Sequence, residues 1–509
     1  MPRYAMYVGD PLVARNAFRG RPPDTASLPS FAHARPLLPA VHWEGHPVAE
    51  ECWDKTWSLA FANLRAPAPG SGFVSRFIDT AFNGNLFLWD SSFIVQFARY
   101  GRRAFDFQAT LDNFYARQHP DGFICREIRE IDGEDAFDRF DPSSTGPNLL
   151  PWAEWSHYLH TADRGRLEAV LPPLLAYHRW FRKWRTWPDG SYWATGWACG
   201  MDNQPRMPPG NVAEHDHGHM SWLDTGLQQC LSARLLVSMN ETLGEPWPVE
   251  DMRGEAAALT AYVNDRMWDE GDAFYHDLWP DGRLGGVKSV GAFWALLAGV
   301  VPPGRAARFI AHLENPAEFN RPHRVPSLSA DHPLYRPGGD YWRGSVWAPA
   351  TYMVLEGLAA AGRGDIAHDI ARNHVTNVHA VFRRTGTLWE NYAPESASRR
   401  EQSAPDFVGW TGLPPIAVLL EHVFGLRHDA PGRRVTWDVR LADEHGVERC
   451  PVGPDGELSV RCARRSSPRE RPVIEASCSV PLALELRWEG GSETLHLAPG
   501  RPAASGGHS

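Results

Sequence analysis

Two carboxylates in unusual surroundings are the residues best suited to chemistry. Asp202 lies in Trp197-Ala-Cys-Gly-Met-Asp-Asn-Gln-Pro-Arg206, a loop with Gly200, Pro205 and an indole five positions upstream. Apolar and aromatic neighbours withhold solvent from a carboxyl and raise its pKa, which suits a general acid. An Asx-turn or a helix cap is the structural alternative for this aspartate. Glu390 lies in Leu388-Trp-Glu-Asn-Tyr-Ala-Pro-Glu395, with Asn391 and Tyr392 placed to orient it. An oriented carboxylate suits a general base. Glu395 competes for that role, and a solvated loop acid is the plain alternative.

Two further stretches read as sugar-holding. In Asn83-Gly-Asn-Leu-Phe-Leu-Trp-Asp-Ser-Ser-Phe93, Asp90 either caps the helix that follows or accepts bonds from sugar hydroxyls beside Trp89. In Asp340-Tyr-Trp-Arg-Gly-Ser-Val-Trp347, three large rings crowd one Gly-containing loop. Trp342 and Trp347 fill core or stack on the apolar face of a pyranose, whose rim hydroxyls need polar partners such as Arg343. Glu214-His-Asp-His-Gly-His219 has metal-ligand residue types, but its i, i+2, i+4 spacing in a loop is weak support for a metal. A polar loop near a pocket mouth is the preferred reading of His215–His219, with no metal and no cofactor. Walker A, GxSxG and HExxH motifs are absent, as is a GxGxxG following a strand, which disfavours nucleotide chemistry, serine hydrolysis and zincin proteolysis.

These loops need a scaffold. Helical windows fall at about 48–65, 91–100, 102–117, 149–161, 164–184, 221–240, 248–269, 288–299, 303–313, 345–361, 364–383 and 411–425. Pro-Asp-Gly recurs at 120–122, 188–190 and 280–282 between them, each marking a tight turn, and again at 454–456, where it marks a hairpin. Paired helices joined by such loops predict a mainly α (α/α)6 toroid of six helical hairpins, with long loops gathered at one end into a pocket. An irregular all-α domain is the competing architecture. Alternating segments at 435–441, 457–462, 473–479 and 482–488 predict a small C-terminal antiparallel β domain. The division expected is an N-terminal arm or short wrapped strands over 1–47, a catalytic domain over 48–428 and the β domain over 429–509, its last residues from Gly500 disordered.

Composition narrows the class. The 509 residues are 43% hydrophobic and 22% charged, which excludes a mainly disordered chain. A net charge of −10 without a basic block argues against nucleic-acid binding. Seven scattered cysteines without a CxxC pair indicate neither a disulfide framework nor a zinc site. No signal-like or membrane-spanning apolar run occurs, so a cytoplasmic protein is expected. Arginine outnumbers lysine 48 to 3, a coding-bias signature, but the 22 tryptophans need a reason of their own.

Taken in order, Trp89-Asp90, Gly-Met-Asp-Asn-Gln-Pro-Arg at 200–206, Tyr-Trp-Arg-Gly-x-x-Trp at 341–347 and Glu-Asn-Tyr at 390–392 resemble glycoside hydrolase family 63, of which family 37, the trehalases, has a related version. The resemblance spans roughly 48–425 and is most similar to the bacterial mannosylglycerate hydrolase-like subgroup. It implies an inverting glycosidase with Asp202 as general acid and Glu390 as general base. It implies a sugar subsite of Trp89, Asp90, Trp197, Gly200, Tyr341, Trp342, Arg343, Trp347 and Tyr392. Gln204 departs from the pattern, standing where many relatives have a small hydroxyl residue, and the loop after Arg206 is His-rich. The expected activity is exo-acting hydrolysis of a small α-glucoside or α-mannoside, the carbohydrate being the sole expected partner. A sugar isomerase or epimerase on the same toroid, and a non-catalytic carbohydrate binder, are the alternatives.

Overall fold

The computed structural model describes residues 9–208, 210–212, 214–501 and 503–505. Among them the α-helices are α1 (Phe31–Ala34), α2 (Pro47–Ala62), α3 (Leu88–Ala98), α4 (Asp112–Ala116), α5 (Leu150–Thr161), α6 (Arg164–Trp184), α7 (Gly196–Cys199), α8 (Leu223–Thr242), α9 (Glu250–Arg266), α10 (Trp294–Leu297), α11 (Pro303–Ala311), α12 (Ala348–Ala360) and α13 (Gly364–Thr385), followed by a π-wound helix, Leu413–Val423. The protein is mainly helical, with its larger sheets in the C-terminal region.

Local chemistry sets the helix ends. Pro47 opens α2 with its φ already helical. Ala162, at φ 58°, stops α5, and the Asp163 carboxylate accepts from Arg166 N at 2.9 Å to start α6, so a two-residue link makes a helical hairpin. The expected helix over 102–117 is broken. Asp106 caps a 3₁₀ turn, Phe107–Leu111, by accepting from Ala109 N at 3.3 Å, and only α4 follows as α-helix. The window at 288–299 breaks in the same way: the Ser289 hydroxyl accepts from Gly291 N at 3.0 Å and starts a 3₁₀ turn before α10.

Packing runs in a circuit. Helix α3 packs on α5, α5 on α8, α8 on α10, α10 on α12, α12 on the π-wound helix, and that helix on α3. Partners lie against this circuit: α6 on α5 and α8, α9 on α8, α13 on α12, and α2 on α13 and the π-wound helix. Helices such as α8 and α12 are buried on nearly every side, as expected of elements packed between neighbours.

Short strand pairs stiffen the loops: β2 (Leu64–Arg65) with β3 (Phe77–Ile78), β4 (Asn85–Phe87) with β5 (Glu127–Arg129), and β6 (Trp268–Asp269) with β7 (Phe274–Tyr275). Two larger sheets follow the helices. One is ordered β1 (Ala40–Trp43), β10 (His445–Val452), β11 (Gly456–Cys462), β12 (Ile474–Cys478), β15 (Ala503–Ser505). The other is ordered β14 (Gly491–Leu497), β13 (Leu482–Trp488), β9 (Arg434–Asp438), β8 (Leu426–Asp429). All pairings are antiparallel except β13 with β9, which run parallel.

Within the stretch 1–47, Ala40–Trp43 forms a short strand on the sheet of β10; residues 1–8 lie outside the described residues. The tail expected to be disordered contains β15, paired with β12 through Ala503–Ser505, while 506–509 lie outside the described residues. No described helix is long and apolar enough to cross a membrane. All seven cysteines are free thiols in buried positions.

Candidate active site

A cavity of about 370 Å³ opens where α3 begins, within the range of single-ligand pockets. It collects Trp89 and Asp90 from the first turn of α3, Trp197 from α7, Gly200 and Asp202 from the loop after α7, Tyr341, Trp342 and Trp347 from the loop before α12, and Glu390 from the loop after α13. Nine of the eleven expected residues therefore share one space.

Arg343 and Tyr392 do not line it. Arg343 turns back onto Asp340 in its own loop, where an ion pair three residues apart is the nearest satisfaction for its charge. Tyr392 is buried against His323, ring centroids 5.5 Å apart, and its hydroxyl accepts from Trp389 N at 3.3 Å. Glu395 is no rival to Glu390: Arg321 holds it from two nitrogens at 2.7 and 2.8 Å, and the Tyr335 hydroxyl donates to it at 2.6 Å.

Sequence reasoning missed Arg126, Glu127, Phe137, Phe407 and Trp410, all of which line the cavity. Trp410 carried a usable signal, an indole beside Gly409 and Gly412 just before a helix, the same context that singled out Trp342. Arg126-Glu127 carried none, since a charged dipeptide where a short strand begins is ordinary.

The acid loop is pinned on both sides of Asp202. Thr195 caps α7 by accepting from Ala198 N at 3.1 Å, and Gly200 ends it at φ 77°. A Cβ at Gly200 would meet the Trp89 indole at 3.3 Å, so the absent side chain lets the ring lie flat against the loop. Beyond Asp202, Arg206 reaches Asp224 and Asp277 in four bonds of 2.7–2.9 Å, all three side chains being buried. Asp202 neither caps a helix nor closes an Asx-turn; no other described residue donates a hydrogen bond to its carboxyl. Asp90 likewise does not cap: Phe87 holds that position and Asp90 sits inside the first turn.

The aromatic wall is built by stacking. Trp342 and Trp347 lie parallel, centroids 4.2 Å apart and planes 4° apart, and Tyr341 meets Trp347 edge-on at 5.1 Å. Trp342 and Trp347 are almost fully buried yet face the cavity, so they fill core and line the pocket together. Tyr341 takes a left-handed φ of 55°, a costly conformation for a ring-bearing residue, and its carbonyl accepts from Trp347 Nε1 at 3.2 Å.

Electrostatics set three of the four cavity acids, Asp90, Asp202 and Glu390, apart. Burial pushes the Asp202 carboxyl up to about 6, against the nearby charge of Arg126, with the charges of Glu214 and Glu390 adding to the rise. Burial also raises Glu390, opposed by the Ala404 N–H and the charge of Arg400. Asp90 is raised well above the ordinary carboxylate range, first by burial, against its own backbone N–H, and then by the charges of Glu127 and Glu390. Backbone contacts hold Glu390 in place: its N donates to Ala404 O at 2.9 Å, and Trp410 Nε1 donates to its carbonyl at 2.7 Å.

Larger clefts lie elsewhere, about 690 Å³ under the N-terminal arm, about 1,030 Å³ between α6 and the β10–β11 turn, and about 380 Å³ beside β8 and β9. There Asp54 is paired with Arg35 and Asp112 with Arg166. The smaller cavity gathers three acids, Asp90, Asp202 and Glu390, that are raised by burial and bonded to no described cation, so chemistry favours it over size. The His loop packs beside it: His215 meets Trp197 at 4.3 Å, while His217 and His219 pack on Trp187 at 5.2 and 5.7 Å.

The profile of the mannosylglycerate hydrolase MGH1-like glycoside hydrolase domain matches residues 84–411, a span that contains every cavity residue named above. The chain belongs to this family. It is a glycoside hydrolase of family 63. This glycosidase is 27% identical over 361 residues to the mannosylglycerate hydrolase of Thermus thermophilus, covering 55% of this chain and 83% of that protein. It is 27% identical over 280 residues to the probable mannosyl-oligosaccharide glucosidase of Schizosaccharomyces pombe, covering 48% of this chain and 34% of that one. Its fold matches the GH63 mannosylglycerate hydrolase of Thermus thermophilus solved in complex with glucose, at a TM-score of 0.57 and 21% identity, over 72% of this chain and 99% of that one.

Proposed function

We propose that this glycosidase is an inverting, exo-acting enzyme that hydrolyses a small α-glucoside or α-mannoside. The observation that carries the reading is the pair of carboxyls, half-buried Asp202 and buried Glu390, facing one aromatic-walled cavity with no cation bonded to either. A raised pKa keeps Asp202 protonated in mildly acidic solution, so it can deliver its proton to the glycosidic oxygen as the bond to the anomeric carbon breaks. Glu390, ionised, takes a proton from the water that attacks the opposite face. After turnover Asp202 is ionised and Glu390 protonated, and exchange with solvent restores both. Inversion requires room for that water, hence carboxyls about 6.5–9.5 Å apart.

The indoles of Trp89, Trp197, Trp342 and Trp347 would take the apolar faces of the terminal sugar, and the Asp90 carboxyl beside them would bond its hydroxyls. The circuit of packed helices with outer partners supports reading residues 48–428 as an (α/α)6 toroid with the cavity at one end, followed by a β domain. The names of the relatives, a mannosylglycerate hydrolase and a mannosyl-oligosaccharide glucosidase, support a mannosyl or glucosyl substrate. The isomerase reading is disfavoured because no described histidine lines the cavity.

A panel of trehalose, kojibiose, nigerose, glucosylglycerate and mannosylglycerate tests the activity by chromatography, and NMR of the first anomer released tests the stereochemistry. Cleavage of at least one member with release of the β-anomer is expected. An isomerised sugar, an intact panel or, on the glycerate members whose leaving group is not a sugar, first release of the α-anomer would overturn the reading.

A further inference from the structure

The Asp202 carboxyl has no hydrogen-bond donor other than its own backbone N–H among the described residues. That leaves it open to a glycosidic oxygen, but it also means that no neighbouring side chain aims it. Its direction is inherited from the backbone that carries it. On the C-terminal side that backbone is fixed by two consecutive amides. Asn203 Oδ1 accepts from Trp342 N at 2.8 Å, and Asn203 Nδ2 donates to Asp340 O at 3.1 Å. Gln204 Nε2 donates to Ser327 O at 2.6 Å, and Gln204 Oε1 accepts from Ser289 Oγ at 2.8 Å.

The two amides tie the acid to different bodies. Asn203 links it to the loop whose indoles form the sugar wall, so the acid and the stacking surface keep one spacing. Gln204, only 2% exposed, links it to the segments behind, at the start of the 3₁₀ turn before α10 and at Ser327. A small hydroxyl side chain at 204 would be too short to make both of these bonds, so this second tie depends on the long amide that this chain has there.

We propose that Asn203 and Gln204 are positioning residues that set the reach of Asp202 toward the leaving oxygen. The proposal rests on the acid role assigned to Asp202 above. It does not make either amide a catalytic residue, since neither lines the cavity.

A leaving group that needs no proton separates positioning of the acid from general damage. Gln204→Met keeps the side-chain volume and removes both bonds; Asn203→Ser is an independent second variant should Gln204→Met fail to fold. Each is assayed against the α-glycoside that the wild-type protein cleaves and against the α-fluoride of the same sugar, with circular dichroism confirming the fold. Displacing a group by ångströms costs about 10²-fold, so kcat on the glycoside should fall by that order with KM within about 2-fold. On the fluoride, whose departure needs no general acid, kcat should stay within about 3-fold of wild type. Equal losses on both substrates, or wild-type turnover of the glycoside, would overturn the positioning role. A wild-type protein that cleaves neither substrate would instead overturn the glycosidase mechanism on which it rests.

Discussion

The first turn of α3 and the residues just past its end handle buried charge in opposite ways. At the start, Asp90 faces the cavity with Asp202 and Glu390, and all three carboxyls are raised by burial without a cation bonded to any of them. Past the end, Arg99 and Tyr100 converge on Glu421 at 2.6 and 2.7 Å, and the Tyr352 hydroxyl donates to it at 2.8 Å. Beside it Arg427 and His422 bond Glu356 at 2.5 and 3.0 Å. Burial would raise Glu356, but the Arg427 charge and the His422 bond outweigh it and hold this carboxyl below its usual range. Glu356, Glu421 and His422 have the residue types of a metal site, yet two guanidiniums already supply the positive charge there. Where acids serve the fold they are paired. Where they are left unpaired, the molecule bears a cost that only a use at that spot explains.

That contrast can be broken by substitution, and the largest effect belongs to the cavity. Asp202→Asn and Glu390→Gln should each lower kcat by about 10²–10⁴-fold while leaving the circular dichroism spectrum unchanged. Near-normal turnover in either variant would erase the distinction between the two ends. At the paired end the expected loss is of stability. Arg99→Met strands a buried carboxylate and should cost about 3–5 kcal/mol in urea unfolding, with kcat of the remaining folded protein close to wild type. An Arg99→Met protein as stable as wild type would mean that the Arg99–Glu421 pair does not carry the stability assigned to it.

The smallest expected effect has the opposite sign. Asp202 is raised from 3.8 to about 6, so the native state prefers the protonated form. Stability from this group is full below pH 4 and is lost as pH rises through about 6, where the ionised carboxyl costs about 3 kcal/mol as an upper bound. Asp202→Asn should therefore raise the unfolding midpoint at pH 7 and leave it unchanged at pH 4. A variant that is less stable at pH 7 would show that Asp202 is stabilised as an anion. The same carboxyl predicts that kcat/KM falls as pH rises above about 6, while the raised Glu390 sets the fall on the acid side.

What the sequence disclosed, and what it hid, divide along a physical line. Local features were legible. The Pro-Asp-Gly turns form as expected, with Gly190 and Gly282 at φ 84° and 83° and the Asp189 and Asp281 carboxylates each accepting from an N–H two residues on at 3.0 Å. The apolar spacing over 164–184 is α6 itself. Trp89, Trp197, Trp342 and Trp347 stood out because rings in glycine-containing loops have few local uses. Features that depend on remote partners were not legible. Arg126 reaches the cavity through a strand pair, β4 with β5, that no local pattern announces. Arg343 looked like a sugar ligand until Asp340 was seen to claim it. The strand Ala40–Trp43 has no meaning without a partner some four hundred residues away.

That partner gives the sheet an order in time. Glu44 N donates to Glu444 O at 2.9 Å across 400 positions of sequence, beside the β1–β10 ladder. At about 5–20 residues per second, synthesis takes ~20–80 s to bring the second strand out after the first. During that interval Ala40–Trp43 leaves the ribosome as an unpaired edge, with Val41 and Trp43 still to be buried. The earliest of the described strands thus waits for a partner made some four hundred residues later.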